Sequence, residues 1–207
     1  MAITVQRDLV KLSLAPSETE QAKAARTHNM IRAHLEEDRS LTKYSVSTYL
    51  QGSYKNSTNV RGDSDVDMGC VTPNIFYYDA TNLPDETTSP SYGKSLRKKV
   101  EESFANGSFT YWDYRRDVYA SLKTEYGTVE DGNKAITVAG NTYRLDADVL
   151  PCIAFRQYYQ AYSGNADYHQ GIAFLTSTGD RIVNFPHQHF EHLSAKDQQN
   201  NGKVKGC

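Results

Sequence analysis

The sequence is poor in cysteine, in proline and in long apolar runs, and it has no surplus of either charge. Its 207 residues include 3 cysteines and 6 prolines. Cys70, Cys152 and Cys207 are too few and too scattered for a disulfide framework. Two of them sit inside apolar, strand-like runs, which reads as reduced, buried thiols of a cytoplasmic protein. No apolar run approaches the roughly 20 residues that cross a bilayer. Met1–Pro16 alternates apolar with charged residues and lacks a hydrophobic stretch, so neither a membrane anchor nor a secretory signal is expected. Lys and Arg number 23 against 25 Asp and Glu, a formal charge of −2. A duplex-DNA binder draws its affinity from a cationic surplus, so that class is disfavoured, whereas small nucleotides held by metal ions and a few donors remain compatible. In a cytoplasmic protein the sequons Asn56-Ser57-Thr58 and Asn106-Gly107-Ser108, and the tripeptide Arg61-Gly62-Asp63, are chance matches.

With 38% hydrophobic and 23% charged residues, the composition is that of a globular protein large enough for a sizeable core. Ser17 and Glu20 form a capping box, so a helix is expected from there to about Asp38, burying Ala22, Ala25, Met30, Ala33 and Leu35. Strands are expected over Ser45–Gln51 and Asp65–Thr72, the second with Val66, Met68 and Cys70 on one face. Between them Lys55–Ser64 reads as a loop. Asp79–Ser91, with Pro84 and Pro90, reads as a long connection, and Leu96, Val100 and Phe104 mark a helix that stops at Asn106-Gly107. A further helix spans roughly Tyr114–Tyr126. One hairpin joins Ile136–Val138 to Thr142–Ile153 through Ala139-Gly140-Asn141, and another joins Gly171–Thr176 to Arg181–Phe185. The pattern predicts an α+β (mixed α/β) domain with a largely antiparallel sheet flanked by helices.

Asp65 and Asp67 lie two apart in a strand, so both carboxylates leave the same face. Side by side they repel unless a cation sits between them, and oxygen-only donors favour Mg²⁺ or Mn²⁺. An Asp-x-Asp pair alone is a common feature of solvated loops and edge strands. Here Gly52-Ser53 ends the strand just before it. Glycine lets backbone approach a ligand, and the neighbouring N–H groups with a serine hydroxyl can hold a phosphate. In Tyr143–Pro151, Tyr143, Leu145, Ala147 and Val149 alternate with Arg144, Asp146 and Asp148. The two acids therefore share a face, and a neighbouring strand could bring one of them beside the first pair. Three carboxylates can hold two divalent ions that clamp the attacking and leaving oxygens of an in-line phosphoryl displacement.

Gln51-Gly52-Ser53-Tyr54-Lys55-Asn56-Ser57-Thr58, then Asp63-Ser64-Asp65-Val66-Asp67, then Asp148-Val149-Leu150-Pro151-Cys152 resemble the polymerase-β-type nucleotidyltransferases. Within that superfamily they are most similar to the bacterial cGAS/DncV-like enzymes, the CD-NTases, from the first helix to about residue 200. The resemblance implies a polymerase-β-like nucleotidyltransferase core with Asp65, Asp67 and Asp148 as catalytic residues and ligands of two Mg²⁺ ions (Mn²⁺ as substitute). Asp148 would help one ion lower the pKa of the acceptor sugar hydroxyl. Ser53 and the Gly52 backbone would grip a nucleoside triphosphate, with Gln51 and Tyr54 flanking that contact. The implied activity is synthesis of cyclic di- or trinucleotide messengers from NTPs with release of pyrophosphate, in bacterial anti-phage signalling, with regulatory or effector proteins as partners.

By the same resemblance residues 1–190 are the catalytic core, including the long N-terminal helix. Residues 191–207 form a polar tail where the family's closing helical lobe would begin. The expectation is that this lobe is absent from the chain, as in a fragment, so that activity of these residues alone is not implied. Competing expectations are a nucleotidyltransferase that modifies a protein or an RNA end, and a catalytically incompetent nucleotide-binding module. Weaker signals are read as structural. His187, His189 and His192 form a polar segment rather than a zinc site. Lys94, Arg97, Lys98 and Lys99 form a solvated helix face. Of the 15 tyrosines, among them Tyr77, Tyr78, Tyr158, Tyr159 and Tyr162, some could stack on bases, and most are expected to be half-buried on strands and helix flanks.

Overall fold

The Ser17 capping box forms as the sequence predicts. In a computed structural model, which describes residues 17–51, 65–81, 109–162 and 165–186, Ser17 Oγ accepts from the Glu20 amide and the Ser17 amide donates to Glu20 Oε2 at 2.7 Å. Helix α1 follows over Glu18–Glu37. Its buried stripe differs from expectation: Ala24, Thr27, Ile31 and Leu35 face the core, whereas Ala22, Ala25, Met30 and Ala33 are exposed. Alanines contribute little area, so the two large branched side chains four residues apart set the phase. Burying each contributes about 1.5–3 kcal/mol. Thr27 tolerates burial because its hydroxyl donates to Lys23 O and accepts from the Leu145 amide, both at 2.9 Å.

A 3₁₀ turn over Arg39–Tyr44, capped by the Asp38 carboxylate on the Ser40 amide, leads into β1 (Ser47–Leu50). Strand β2 spans Val66–Asp79, seven residues longer than expected at its far end. Helix α2 covers Tyr111–Tyr126, starting before the expected Tyr114 because Thr110 and Asp113 make a second reciprocal capping box. Then come β3 (Val129–Asp131), β4 (Ile136–Val138), β5 (Ala147–Tyr162), β6 (Asn165–Leu175) and β7 (Arg181–Asn184).

The strands form one seven-stranded sheet in the order β1-β2-β5-β4-β3, with β6 also on β5 and β7 on β6. Among the described strands every pairing is antiparallel except β2 with β5, which run parallel. The mixed, largely antiparallel sheet therefore agrees with the sequence reading. The long β5 is its axis. One side lies along β2, while the other meets β4 at its start and β6 further on.

One face of the sheet packs on both helices. Val66, Met68 and Cys70 of β2 and Ala147, Val149 and Ile153 of β5 join Ile31 and Leu35 of α1 and Tyr114, Val118 and Leu122 of α2 in a single buried cluster. Tyr114 is fully buried, and its hydroxyl donates to the Cys70 carbonyl at 2.8 Å. Burial pushes the Cys70 thiol up to about 12 and raises Cys152 as well. Both stay protonated and unbridged, as expected. At the edge of this layer Arg115 is buried, with its guanidinium bonded to Asp131 Oδ1 and to the Lys134 and Gly132 carbonyls at 2.5–3.1 Å. It fastens α2 to the β3–β4 turn.

The hairpin through Ala139-Gly140-Asn141 forms, since β4 pairs antiparallel with β5, but its connection is longer than expected. Strand β5 begins at Ala147 rather than Thr142, so residues 139–146 are connection, and Tyr143 is 69% exposed. The second hairpin, β6 to β7, forms where expected. The loop at Lys55–Ser64, the connection at Pro84 and Pro90, the Leu96–Phe104 helix with its lysines, Cys207, the three tail histidines and the 191–207 tail lie outside the described residues. None of the described helices is long and apolar enough to cross a membrane.

Two substitutions test this packing. Ile31→Ala should cost about 2–5 kcal/mol in urea unfolding, while Met30→Ala, one residue away, should stay within about 1 kcal/mol. Arg115→Met should lower stability by about 1–2 kcal/mol, because it removes the hydrogen bonds by which the buried guanidinium holds the β3–β4 turn, whose own groups stay within reach of water.

Candidate active site

The face of the sheet away from the helices carries the acids. Alternation along β2 puts Val66, Met68 and Cys70 into the core and turns Asp67, Gly69 and Val71 to the other side. Backbone bonds fix this start of β2 from both flanks: the Val66 amide donates to Asp146 O at 3.0 Å, and the Gln51 amide donates to Asp67 O at 2.9 Å. With that register, Asp67 is the direct partner of Asp148 across the parallel β2–β5 pair. Neighbouring strands lie about 4.8 Å apart, so the two carboxylates leave the same face side by side. Asp65, just before the strand, is exposed.

The electrostatics follow from this crowding. Burial first, then the negative charges of Asp148 and Asp65, hold the Asp67 carboxyl above its ordinary range. A cation would relieve all three causes at once, and an all-oxygen donor set suits Mg²⁺ or Mn²⁺. Among the described residues, Asp65, Asp67 and Asp148 included, no three His, Cys, Asp or Glu side chains are gathered closely enough to hold a metal ion by themselves. The acids form an open edge instead. That fits a hard ion that uses one or two carboxylates and takes its remaining oxygens from water and substrate phosphates. The donor chemistry is therefore compatible with such an ion.

Of the two acids at the start of β5, the fold selects one. Asp146 is spent on the connection that precedes the strand: its Oδ1 accepts from the Gly140 amide at 2.5 Å. The same connection is held by Asn141 Oδ1, which accepts from the Tyr143 and Arg144 amides, and by Arg144 Nε, which donates to Ala139 O. Gly140 is packed so closely there that a Cβ would meet the backbone of Leu145 and Asp146 at 2.7–2.8 Å. Asp148, two residues on, is the one beside Asp67.

Gln51 borders the acids, but its side-chain amide donates to Tyr49 Oη at 2.7 Å. The Tyr49 ring lies over Gly69, where a Cβ would sit 2.3 Å from the ring, and its hydroxyl points to Cys152 Sγ at 4.0 Å. Gly69 thus gives room for an aromatic floor next to the acids, and burial raises the Tyr49 phenol. Gly52, Ser53 and Tyr54 lie outside the described residues. A cavity of about 360 Å³ opens on this face, lined by Tyr49, Val71, Ala154 and Ile172 among others, and includes none of the acids.

Sequence reasoning missed Thr137. It is the Cα partner of Asp148 on the β4 side, and its hydroxyl donates to Asp148 Oδ1 at 2.7 Å. The alternation Ile136-Thr137-Val138 marks which face it shares. Its pairing with Asp148 depends on the true length of the 139–146 connection.

A family model, the Second Messenger Oligonucleotide or Dinucleotide Synthetase (SMODS) domain, matches residues 4–110. Cyclic dipyrimidine nucleotide synthase CdnE of Cecembia lonarensis is 33% identical over 99% of this chain and 64% of its own length. Cyclic UMP-AMP synthase of Rhodothermus marinus is 38% identical over 86% of the chain and 57% of its own length. Among solved structures, the Rhodothermus marinus CdnE c-UMP-AMP synthase with Apcpp and Upnpp aligns with a TM-score of 0.72 and 35% identity, over 95% of this chain and 61% of its own. The Elizabethkingia meningoseptica CdnE cyclic dinucleotide synthase with GTP and Apcpp aligns with a TM-score of 0.64 and 28% identity, over 97% and 62%. This chain thus spans less than two thirds of the length of these relatives. The ordered acids, the mixed sheet that carries them and these likenesses together place the chain in the SMODS family, among the bacterial CD-NTases.

Proposed function

We propose that the full-length protein is a metal-dependent nucleotidyltransferase that joins nucleoside triphosphates into a cyclic di- or trinucleotide, with release of pyrophosphate. The observation that carries this reading is the register of Asp67 with Asp148 across the parallel strand pair, with Asp65 at the mouth of β2. Membership of the SMODS family supports it.

In the proposed reaction a ribose hydroxyl of one nucleotide attacks the α-phosphorus of another. The bond to the bridging oxygen of the β-phosphate breaks, pyrophosphate leaves, and the hydroxyl proton passes to solvent. A second round closes a dinucleotide ring. Asp65, Asp67 and Asp148 would hold two divalent ions, which when bound neutralise the triphosphate and acidify the attacking hydroxyl. The chain's own contribution is placement. The β2–β5 register sets two carboxylates at one strand spacing, and the Tyr49 ring over Gly69 gives the site a rigid apolar flank. Ser53 and the Gly52 backbone would hold the donor triphosphate, and Tyr54 would flank it. Gln51 would act mainly through the Tyr49 hydroxyl that it already holds.

Relatives at 31–38% identity carry names that specify dipyrimidine, UMP-AMP and dipurine products. The shared substrate class is therefore the NTP, and the choice of bases is a variable of the individual enzyme. Residues 1–190 would form the core of the catalytic unit, working in the bacterial cytoplasm in anti-phage signalling. Regulatory or effector proteins would be its partners, as the family resemblance implies.

The reading is tested by incubating the full-length protein with all four NTPs and Mg²⁺, and following pyrophosphate together with cyclic products by mass spectrometry. Asp67→Asn and Asp148→Asn should each lower product formation by at least about a hundredfold with melting temperature preserved. Asp146→Asn should keep most of the activity, since that side chain serves the 139–146 connection. A chelator should abolish turnover and added Mg²⁺ should restore it. Undiminished turnover in Asp67→Asn, or a nucleotide attached to protein or RNA in place of a cyclic product, would overturn the reading.

A further inference from the structure

The sheet places a hydroxyl against the acid on which the proposed reaction depends. Asp148 is flanked by Asp67 on the β2 side and by Thr137 on the β4 side, so the three side chains stand in one row across three strands. Thr137 is half-buried, and its Oγ1 donates to Asp148 Oδ1 at 2.7 Å, a good distance for a hydroxyl on a carboxylate. Ile136 and Val138 on either side of it are fully buried in the core. The strand is therefore anchored on its inner face while its one outward side chain meets the acid. The β-branched threonine has few rotamers to choose from, so the hydroxyl is pre-aimed.

We propose that Thr137 is a positioning residue for the metal-holding carboxylates, an inference that rests on the nucleotidyltransferase reading. β4 and β2 flank β5 on opposite sides. A carboxylate held through Oδ1 from β4 keeps its second oxygen for the β2 side, where Asp67 stands. The hydroxyl removes the rotational freedom that an unsupported Asp148 would have in a site whose three acids repel one another. It also occupies one lone pair of Oδ1, while Oδ2 keeps both of its own for the ion. Outer partners of this kind commonly change metal affinity by about 10–100-fold when removed.

The experiment compares Thr137→Val and Thr137→Ser in the full-length protein, with Asp148→Asn as control. Valine keeps the shape and strand preference of threonine and removes only the hydroxyl, while serine restores it. Mn²⁺ binding is read by electron paramagnetic resonance of the free ion, with a non-hydrolysable ATP analogue present. Turnover is read separately as a function of Mg²⁺. Thr137→Val should weaken Mn²⁺ binding about tenfold and raise the Mg²⁺ needed for half-maximal turnover similarly, with the melting temperature within a few degrees of wild type. Thr137→Ser should recover most of both. Wild-type Mn²⁺ binding and Mg²⁺ dependence in Thr137→Val, with Asp148→Asn inactive, would overturn the role of Thr137 and leave the reading of the site standing. Full turnover in Asp148→Asn would instead remove that reading and this inference with it. A loss in Thr137→Val that serine fails to rescue would count against the hydroxyl and assign the effect to packing.

Discussion

The structure turns on one pairing, the parallel contact of β2 with β5. It is the single parallel ladder among the described strands, and it sets Asp67 beside Asp148. A parallel ladder between strands so far apart in sequence needs a long crossover connection, and α2 with the β3–β4 hairpin lies within it. What the connection achieves is chemical: two negative charges from distant parts of the chain are brought to one strand spacing. The raised Asp67 carboxyl records the cost of that placement, and a cation is the natural relief.

The remaining architecture defends this register. Slipping β2 by one residue would turn Val66, Met68 and Cys70 out of the core and put the acids in, so burial on the helical face enforces the order of the other face. The ladder is locked at its start by the Asp146 carbonyl on the Val66 amide. The Asp146 carboxylate, through the Gly140 amide, sets where β5 begins. One residue thus serves both sides of the contact without belonging to the acidic edge. Arg115 holds the β3–β4 turn against α2, and β4 in turn presents Thr137 to Asp148. Stability and site geometry are carried by the same few bonds.

The cluster of His34, Ser121 and Asp38 shows why residue types alone do not define a site. Ser121 donates to Asp38 and meets His34 Nε2 at 2.9 Å, so imidazole and carboxylate share one hydroxyl. In a nucleophilic triad the carboxylate would instead orient the imidazole through its other nitrogen. Here the group ties the end of α1 to α2. The acids of β2 and β5 differ in kind: Asp67 and Asp148 stand opposite each other as like charges, and burial together with that repulsion raises the Asp67 carboxyl.

The sequence by itself determined the class of the fold, the start of α1 through its capping box, the inward face of β2 and the Asp65/Asp67 pair. These are local properties: a cap spans four residues, and strand alternation has a period of two. It also carried the resemblance that named Asp148. Tertiary structure decided the phase of α1, where Ile31 and Leu35 outweigh a scatter of alanines, because only the packed core measures area. It decided the start of β5, where hydrogen bonds involving the Asn141, Arg144 and Asp146 side chains make residues 142–146 a connection in place of the expected first residues of the strand. From that followed the separation of Asp146 from Asp148 and the meeting of Thr137 with Asp148. Both depend on which residues face each other across strands, and pairing register is set by the whole sheet rather than by any one segment.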